Sequence, residues 1–345
     1  MTANGLASST SSPVAKWLVG LESHQLVTKA MRSTGLADFD GLSFAEPLEV
    51  LTRALDGQAA LTRRGRADAR SRLVGLLAER ARTAALLSEH PEILSLDIDE
   101  PIVLLGMPPA GTRLICGLLA ADPGLRTGPP SDSDLLAIDF ASMDFEYAWH
   151  VPAFAEWYFD ADLAPRYEYL LKLLRIQQWQ EPGGRWVLHG FQHLEQLGPL
   201  LTVFPRAVVI QVHRDPVAVL AEWTATLSER RSRSSHVVGH AKIAKYWAWR
   251  IQILLDRSIE GRIANPSHPV FDLPYADLVD DPGTAISKIY RASGRELTIE
   301  VEAEMRRRVL PIPDLIDIER YGIERTSLRE RFAPYCDQFG VAPET

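Results

Sequence analysis

The sequence predicts an α/β protein in which a parallel sheet is flanked by helices and preceded by a helical N-terminal region. Three observations carry this. A strand pattern runs directly into a glycine turn and a helix at Pro101–Pro123, PIVLLGMPPAGTRLICGLLAADP. A β-branched run, AVVIQV at Ala207–Val212, is followed at once by HRDP, His213 to Pro216. Strand patterns then alternate with helical ones along the chain, as parallel strands joined by crossover helices require.

The first stretch opens with Ile102 to Leu105, a short apolar run suited to a strand buried on both faces. A turn follows from Gly106 to Gly111, and an apolar helix from Leu114 to Ala121. This order builds a phosphate cradle, because free N–H groups and the positive end of the helix dipole attract an anion. The glycine spacing fits the front of a P-loop, which then needs Lys and Ser or Thr. Those places hold Thr112 and Arg113, so ATP or GTP hydrolysis is set aside. On the turn alone, an ordinary strand-to-helix connection fits equally well.

The remaining elements read as follows. Residues 1–13, rich in Ser, Thr and Gly, read as disordered. Val14–Ala37 reads as irregular helix, and Glu46–Leu55 and Ala59–His90 as helices. The last places Leu73, Leu76, Leu77, Leu86 and Leu87 on one side and Arg and Glu on another. Residues 14–96 thus form a helical region packed on an α/β domain, 97–345. Within that domain Gly128–Asp134 (GPPSDSD) is a loop, followed by aromatic helical material to Phe159. Leu163–Gln180 is a helix with Tyr167, Leu170, Leu171, Leu174 and Ile176 near helical spacing. Arg185–Leu188 is a strand, Gln192–Phe204 a helix, and Ala207–Val212 the clearest buried strand. Pro216 suits the first turn of the next helix, where its missing N–H costs nothing. Ala241–Ile259 is a helix, Val270–Leu273 a strand, and Gly283–Ala292 a helix.

In an open parallel sheet, ligands bind at the carboxyl ends of strands. The cradle after Leu105 and Arg214 after Val212 therefore face one crevice. A guanidinium there suits a fixed phosphate; an Arg–Asp pair within the turn is the plainer alternative.

Composition narrows the function. The 345 residues are 46% hydrophobic and 24% charged, ordinary for a globular protein. A formal net charge of -8 argues against a general nucleic-acid binder. No apolar run reaches membrane-spanning length, and the N-terminus lacks the apolar core of a secretory signal. The two cysteines, Cys116 and Cys336, allow no disulfide framework beyond one bridge, and no Cys/His cluster has metal spacing. These features point to a cytoplasmic protein without a metal and with no nucleic-acid or membrane partner; a homo-oligomer is left open.

Taken together, the segments resemble the sulfotransferases that use 3′-phosphoadenosine 5′-phosphosulfate (PAPS), in particular a bacterial branch with an N-terminal helical extension. The resemblance spans roughly residues 45–340. It rests on PIVLLGMPPAGTRLICGLLAADP, the GPP loop with FAS beyond it, RWVLHGFQHLEQLGPLLTVFP, AVVIQVHRDPVAVLAEW, LPYADLVDDP and RYGIERTSLRERFAPYCDQFG, in that order. It implies a P-loop-like sulfotransferase fold. It also implies that Gly106, Pro109, Ala110, Gly111, Thr112 and Arg113 lie where the family holds the 5′-phosphosulfate. Arg214 matches the arginine that holds the 3′-phosphate, and His193 the histidine that takes the acceptor's proton. His189, also at a strand end, is a second candidate base or cation.

The departures are as specific as the matches. Pro109 and Ala110 stand where the family carries a basic residue and a hydroxyl, and proline removes an N–H from the cradle. The family's Lys-Ser-Pro reads His189, Gly190, Phe191. The serine eight residues past the arginine is Glu222, whose carboxylate would repel a 3′-phosphate or serve acid–base chemistry of its own. Three functions follow: PAPS-dependent sulfuryl transfer to a small-molecule hydroxyl, different chemistry in the same crevice without PAPS, or ligand binding without catalysis. Asp132 and Asp134 read as a solvated acidic loop, Arg230–Arg233 as a solvated charge run, and Trp223, Trp247 and Trp249 as core.

Overall fold

The computed structural model describes residues 20–98, 100–128, 132–237, 239–308 and 315–344. The expected disorder of residues 1–13 and the middle of the GPPSDSD loop lie outside these residues. The chain divides into two compact units.

The larger unit comprises Pro91–Leu136, Asp162–Thr226 and Gly239–Thr345. It holds a five-stranded sheet of β1 (Ile102–Leu105), β2 (Leu125–Thr127), β3 (Arg185–His189), β4 (Val208–His213) and β5 (Val270–Pro274). All pairings are parallel, in the order β2-β3-β1-β4-β5. From β1 the chain goes to the edge strand β2, returns inward through β3, and then crosses to β4 and β5 on the other side of β1. The carboxyl ends of β1 and β4 therefore meet at a topological switch point, where such sheets open a ligand crevice. Every residue of β1 is buried, as its unbroken apolar sequence requires. Ile102, Leu104, Val187 and Ile210 pack with the helices Thr112–Leu119 and Pro282–Ala292 in one apolar cluster.

Three local differences from the sequence reading have simple causes. β2 is a three-residue edge strand, too short for periodicity to reveal. The expected helix Gln192–Phe204 is divided into a 3₁₀ turn, Phe191–Leu194, and a helix, Leu197–Val203. Pro199 sits in that helix's first turn, where its missing donor is harmless. Helices at Asp132–Leu136, Tyr275–Asp280, Ile299–Arg306 and Arg325–Phe339 add to those read from the sequence.

The smaller unit comprises Met1–His90, Ala137–Ala161 and Leu227–Val238. Its longest helix, Arg63–Glu89, begins at Thr62, whose hydroxyl accepts from the Gly65 N–H at 2.9 Å. This helix does not keep its arginines on a wet face. Arg80 is fully buried and pairs with buried Asp139 at 2.5 Å. Arg231 is buried too, donating to the carbonyls of Glu146 and Trp149, so the Arg230–Arg233 run is not simply a solvated face.

Candidate functional site

The cradle follows β1. Gly106 is demanded by space and Gly111 by its backbone conformation. A Cβ on Gly106 would lie 2.9 Å from the Thr112 methyl and 3.4 Å from the Val212 carbonyl oxygen. Gly111 caps the helix Thr112–Leu119 at φ +90°, and a Cβ there would lie 2.6 Å from Leu278. Ala110 and Thr112 are buried in the turn, Pro109 is partly covered, and Arg113 points to solvent. The cradle thus keeps its backbone shape while presenting no cation of its own from Pro109 or Ala110. Cys116, one turn into the helix, is buried, which pushes its thiol pKa far up, so it packs and does not react.

Arg214 follows β4 directly and is 2% exposed. Its Nη1 donates to the Pro109 carbonyl at 2.5 Å, which ties the end of β4 to the cradle. Asp215 caps the helix Pro216–Ser232 by accepting from the Val217 N–H at 2.9 Å. Two turns into that helix, Glu222 returns to face Arg214 and accepts from Nη2 at 2.5 Å. A third group joins from the end of the described chain. Glu344 accepts from Nε and Nη2, both at 2.8 Å, in the bidentate manner suited to a guanidinium. Its own N–H donates to Asp215 at 2.9 Å, and Arg329 pairs with Asp215 at 2.7 Å. Tyr275 lies beneath the guanidinium at 4.4 Å from ring centre to carbon.

The charges shift accordingly. Burial works against the cation of Arg214, but hydrogen bonds to Glu344 and Glu222 outweigh it and hold its pKa above the ordinary value. Burial pushes Glu222 up; Arg214 opposes this by hydrogen bond and charge, and nearby Glu344 reinforces it. Two carboxylates around one guanidinium leave this corner with a formal charge of minus one before any ligand arrives.

A second cluster surrounds His193, which is fully buried in the 3₁₀ turn after β3. Its Nδ1 meets the Tyr167 hydroxyl at 2.6 Å, and its Nε2 meets Asp132 at 3.1 Å. Burial, then the charges of Asp132 and Glu195, hold the Tyr167 phenol protonated. The phenol and Nδ1 share one short hydrogen bond, and Nε2 faces the Asp132 carboxylate. Gly190 makes room for the ring, since a Cβ there would lie 3.1 Å from Nε2. Asp132 is thus not part of a wet acidic loop: it is 1% exposed and bonded to the histidine. Asp134, two residues on, is exposed. His189 ends β3 opposite Leu104 and is buried. Trp223 and Trp247 are core, in edge contact with each other, whereas Trp249 is exposed.

The structure therefore gathers the sequence-derived residues into two groups. Gly106, Pro109, Gly111, Arg214 and Glu222 meet at the switch point; His193 sits in a buried polar chain with Asp132 and Tyr167. Sequence reasoning missed Tyr167 and Glu344 as members. Tyr167 looks like one more apolar position of a helix, and Glu344 stands 130 positions from its partner. Among the described residues, no group of three or more His, Cys, Asp or Glu could hold a metal ion, and no helix is long and apolar enough to cross a membrane.

A parallel sheet with a glycine turn after its central strand and an arginine after the neighbouring strand is the arrangement of an open α/β protein with a crevice at its switch point. Residues 101–298 match the model of the sulfotransferase family, and the chain belongs to that family. Two crystal structures of mycobacterial sulfotransferases share its fold. One, from Mycobacterium avium, has a TM-score of 0.87 at 23% identity, over 94% of this chain and 98% of that one. The other, from Mycobacterium tuberculosis, has a TM-score of 0.83 at 24% identity, over 90% of this chain and 98% of that one. A comparison with curated proteins finds no match.

Proposed function

We propose that this chain transfers a sulfuryl group from a nucleoside 5′-phosphosulfate, the donor class of which PAPS is the family's form, to a hydroxyl of a small molecule in the cytoplasm. The observation that carries the reading is the cradle. Two glycines, one crowded by Thr112 and Val212 and the other held at φ +90°, lie in the turn after β1, which is bonded through Pro109 to the arginine after β4. This fits the 5′ end of such a donor. It does not fit a 3′-phosphate, because Arg214 is already held by Glu222 and Glu344.

Sulfuryl transfer asks a protein mainly for alignment, charge stabilisation and a base. The acceptor oxygen bonds to sulfur as the bond from sulfur to the bridging oxygen breaks. The leaving 5′-phosphate keeps that electron pair, and the hydroxyl proton goes to the protein. The Thr112–Leu119 helix start would face the phosphate. The proton would come to rest on the His193 ring, whose imidazolium donates through Nε2 to the Asp132 carboxylate and through Nδ1 to the Tyr167 hydroxyl oxygen, both already within hydrogen-bond distance.

A second reading has support of its own: the 2.5 Å contact of Glu222 with Arg214 favours a family member that has abandoned nucleotide donors for other chemistry. The deciding experiment incubates the purified protein with sulfate-radiolabelled PAPS or adenosine 5′-phosphosulfate and a panel of phenols, sugars and alcohols. Label in an acceptor supports transfer. No transfer from either donor, together with no binding of their nucleotide products at millimolar concentration, removes it.

A further inference from the structure

We propose that the nucleotide site of this chain selects a donor with a free 3′-hydroxyl, of the adenosine 5′-phosphosulfate kind, and rejects one with a 3′-phosphate, with Glu222 and Glu344 making the choice. This rests on the sulfuryl-transfer reading above and names its donor.

The first reason is donor count. A guanidinium has five N–H groups. Nε and both N–H groups of Nη2 go to the two glutamates, and one of Nη1 goes to Pro109. Four of the five are therefore taken, and a phosphate would have to displace carboxylates to gain the bidentate contact arginine normally offers it.

The second reason is charge. The corner carries a net minus one, and it is buried: Arg214 is 2% and Glu222 9% exposed. Salt screens a partly buried charge less than an exposed one, so an added phosphate dianion is repelled there.

The third reason is what a carboxylate does well. In dinucleotide sites, an acidic residue accepts hydrogen bonds from ribose hydroxyls, and an arginine in its place accommodates a phosphate. Here the acid has been added and the arginine neutralised, which is the same exchange in the same sense. Glu222 uses Oε1 for Arg214, and its Oε2 has no partner among the described residues. That oxygen is available to a ribose hydroxyl.

Glu344 is not a casual visitor. Its backbone is fixed to Asp215, which itself caps the Pro216–Ser232 helix and pairs with Arg329. Should Glu344 nevertheless swing away, Glu222 remains on the helix beside Arg214.

The test uses a matched pair that differs only in the 3′-phosphate: adenosine 5′-phosphate and adenosine 3′,5′-bisphosphate, titrated calorimetrically into the full chain. The expected result is tighter binding of the monophosphate by about tenfold or more. Glu222→Ser should reverse the preference, and Glu344→Ala should improve bisphosphate binding by a smaller factor. Equal or tighter binding of the bisphosphate by the unaltered protein overturns the inference while leaving the nucleotide site standing. An unchanged ratio in a folded Glu222→Ser protein overturns the role of that residue. Failure of both nucleotides to bind at millimolar concentration removes the nucleotide site itself. The unaltered protein alone decides the preference, so a variant that does not fold costs the test nothing essential.

Discussion

Arg214→Ala should destabilise the protein, by an amount the surroundings of the guanidinium allow to be worked out. The substitution leaves Glu222 and Glu344 side by side without their cation, with side chains 11% and 22% exposed. Removing one partner of a buried ion pair costs about 3–5 kcal/mol, mainly because a charge is left buried and uncompensated. Glu344 can turn toward water, so the lower end applies: about 3 kcal/mol near neutral pH. The loss should depend on pH. Burial already raises the Glu222 pKa above its ordinary 4.5, and deletion of Arg214 removes the groups that oppose this. A carboxyl whose folded pKa is raised contributes stability that is full below its unfolded pKa and is lost as pH rises through the folded one. The deficit of the variant should therefore shrink as pH is lowered toward the mid-fours. Urea unfolding followed by circular dichroism, at neutral and at acidic pH, measures both effects. Adding Glu222→Gln to the variant should recover part of the loss, with a coupling of about 0.5–3 kcal/mol. A deficit under about 1 kcal/mol that is also flat with pH would show that the arginine is not the counterion of these carboxylates.

Other substitutions probe other parts of the molecule. Gly111→Ala places a side chain at φ +90° and 2.6 Å from Leu278, and should cost more than the about 1–3 kcal/mol of backbone strain alone; unfolding midpoints within error of the unaltered protein would contradict this. His193→Ala should lower kcat far more than it weakens nucleotide binding, and Tyr167→Phe should shift the pH profile of kcat because the ring loses its hydrogen-bond partner at Nδ1; equal losses in binding and turnover would make the chain structural only. His213 is held below its ordinary 6.5 by burial, with Asp272 opposing. Its contribution is therefore present above that value and is lost as pH falls through the lowered one, so His213→Gln should flatten the acid limb of the stability curve; an unchanged limb would assign that limb to other groups.

Much of the fold was legible because its signals are local. The strands at Ile102 and Val208, the glycine turn and the proline-started helix each depend on residues within a few positions of one another. The Arg214–Glu222 pair is likewise close in sequence, eight positions apart, and the helix that starts at Pro216 turns Glu222 toward the arginine. The edge strand at Leu125 and the break after Leu194 were not legible, because three residues carry no period and a 3₁₀ turn carries no distinct one.

The family's imprint on the sequence set the sheet, the cradle and the crevice; only the chain path decided what stands in that crevice. Asp132 and His193 are 61 positions apart, and Tyr167 is 26 from the same ring, so no spacing rule announces their chain. Burial decided their chemistry, turning an apparently wet acid into the partner of an enclosed histidine. Glu344 is the clearest case. A glutamate near the end of a chain reads as solvent-facing, yet the fold carries it across 130 positions to the buried guanidinium of Arg214. Charge identity is written in the sequence, but which charges share a low-dielectric corner is a property of the tertiary structure, because electrostatic energy depends on distance and burial and not on order along the chain.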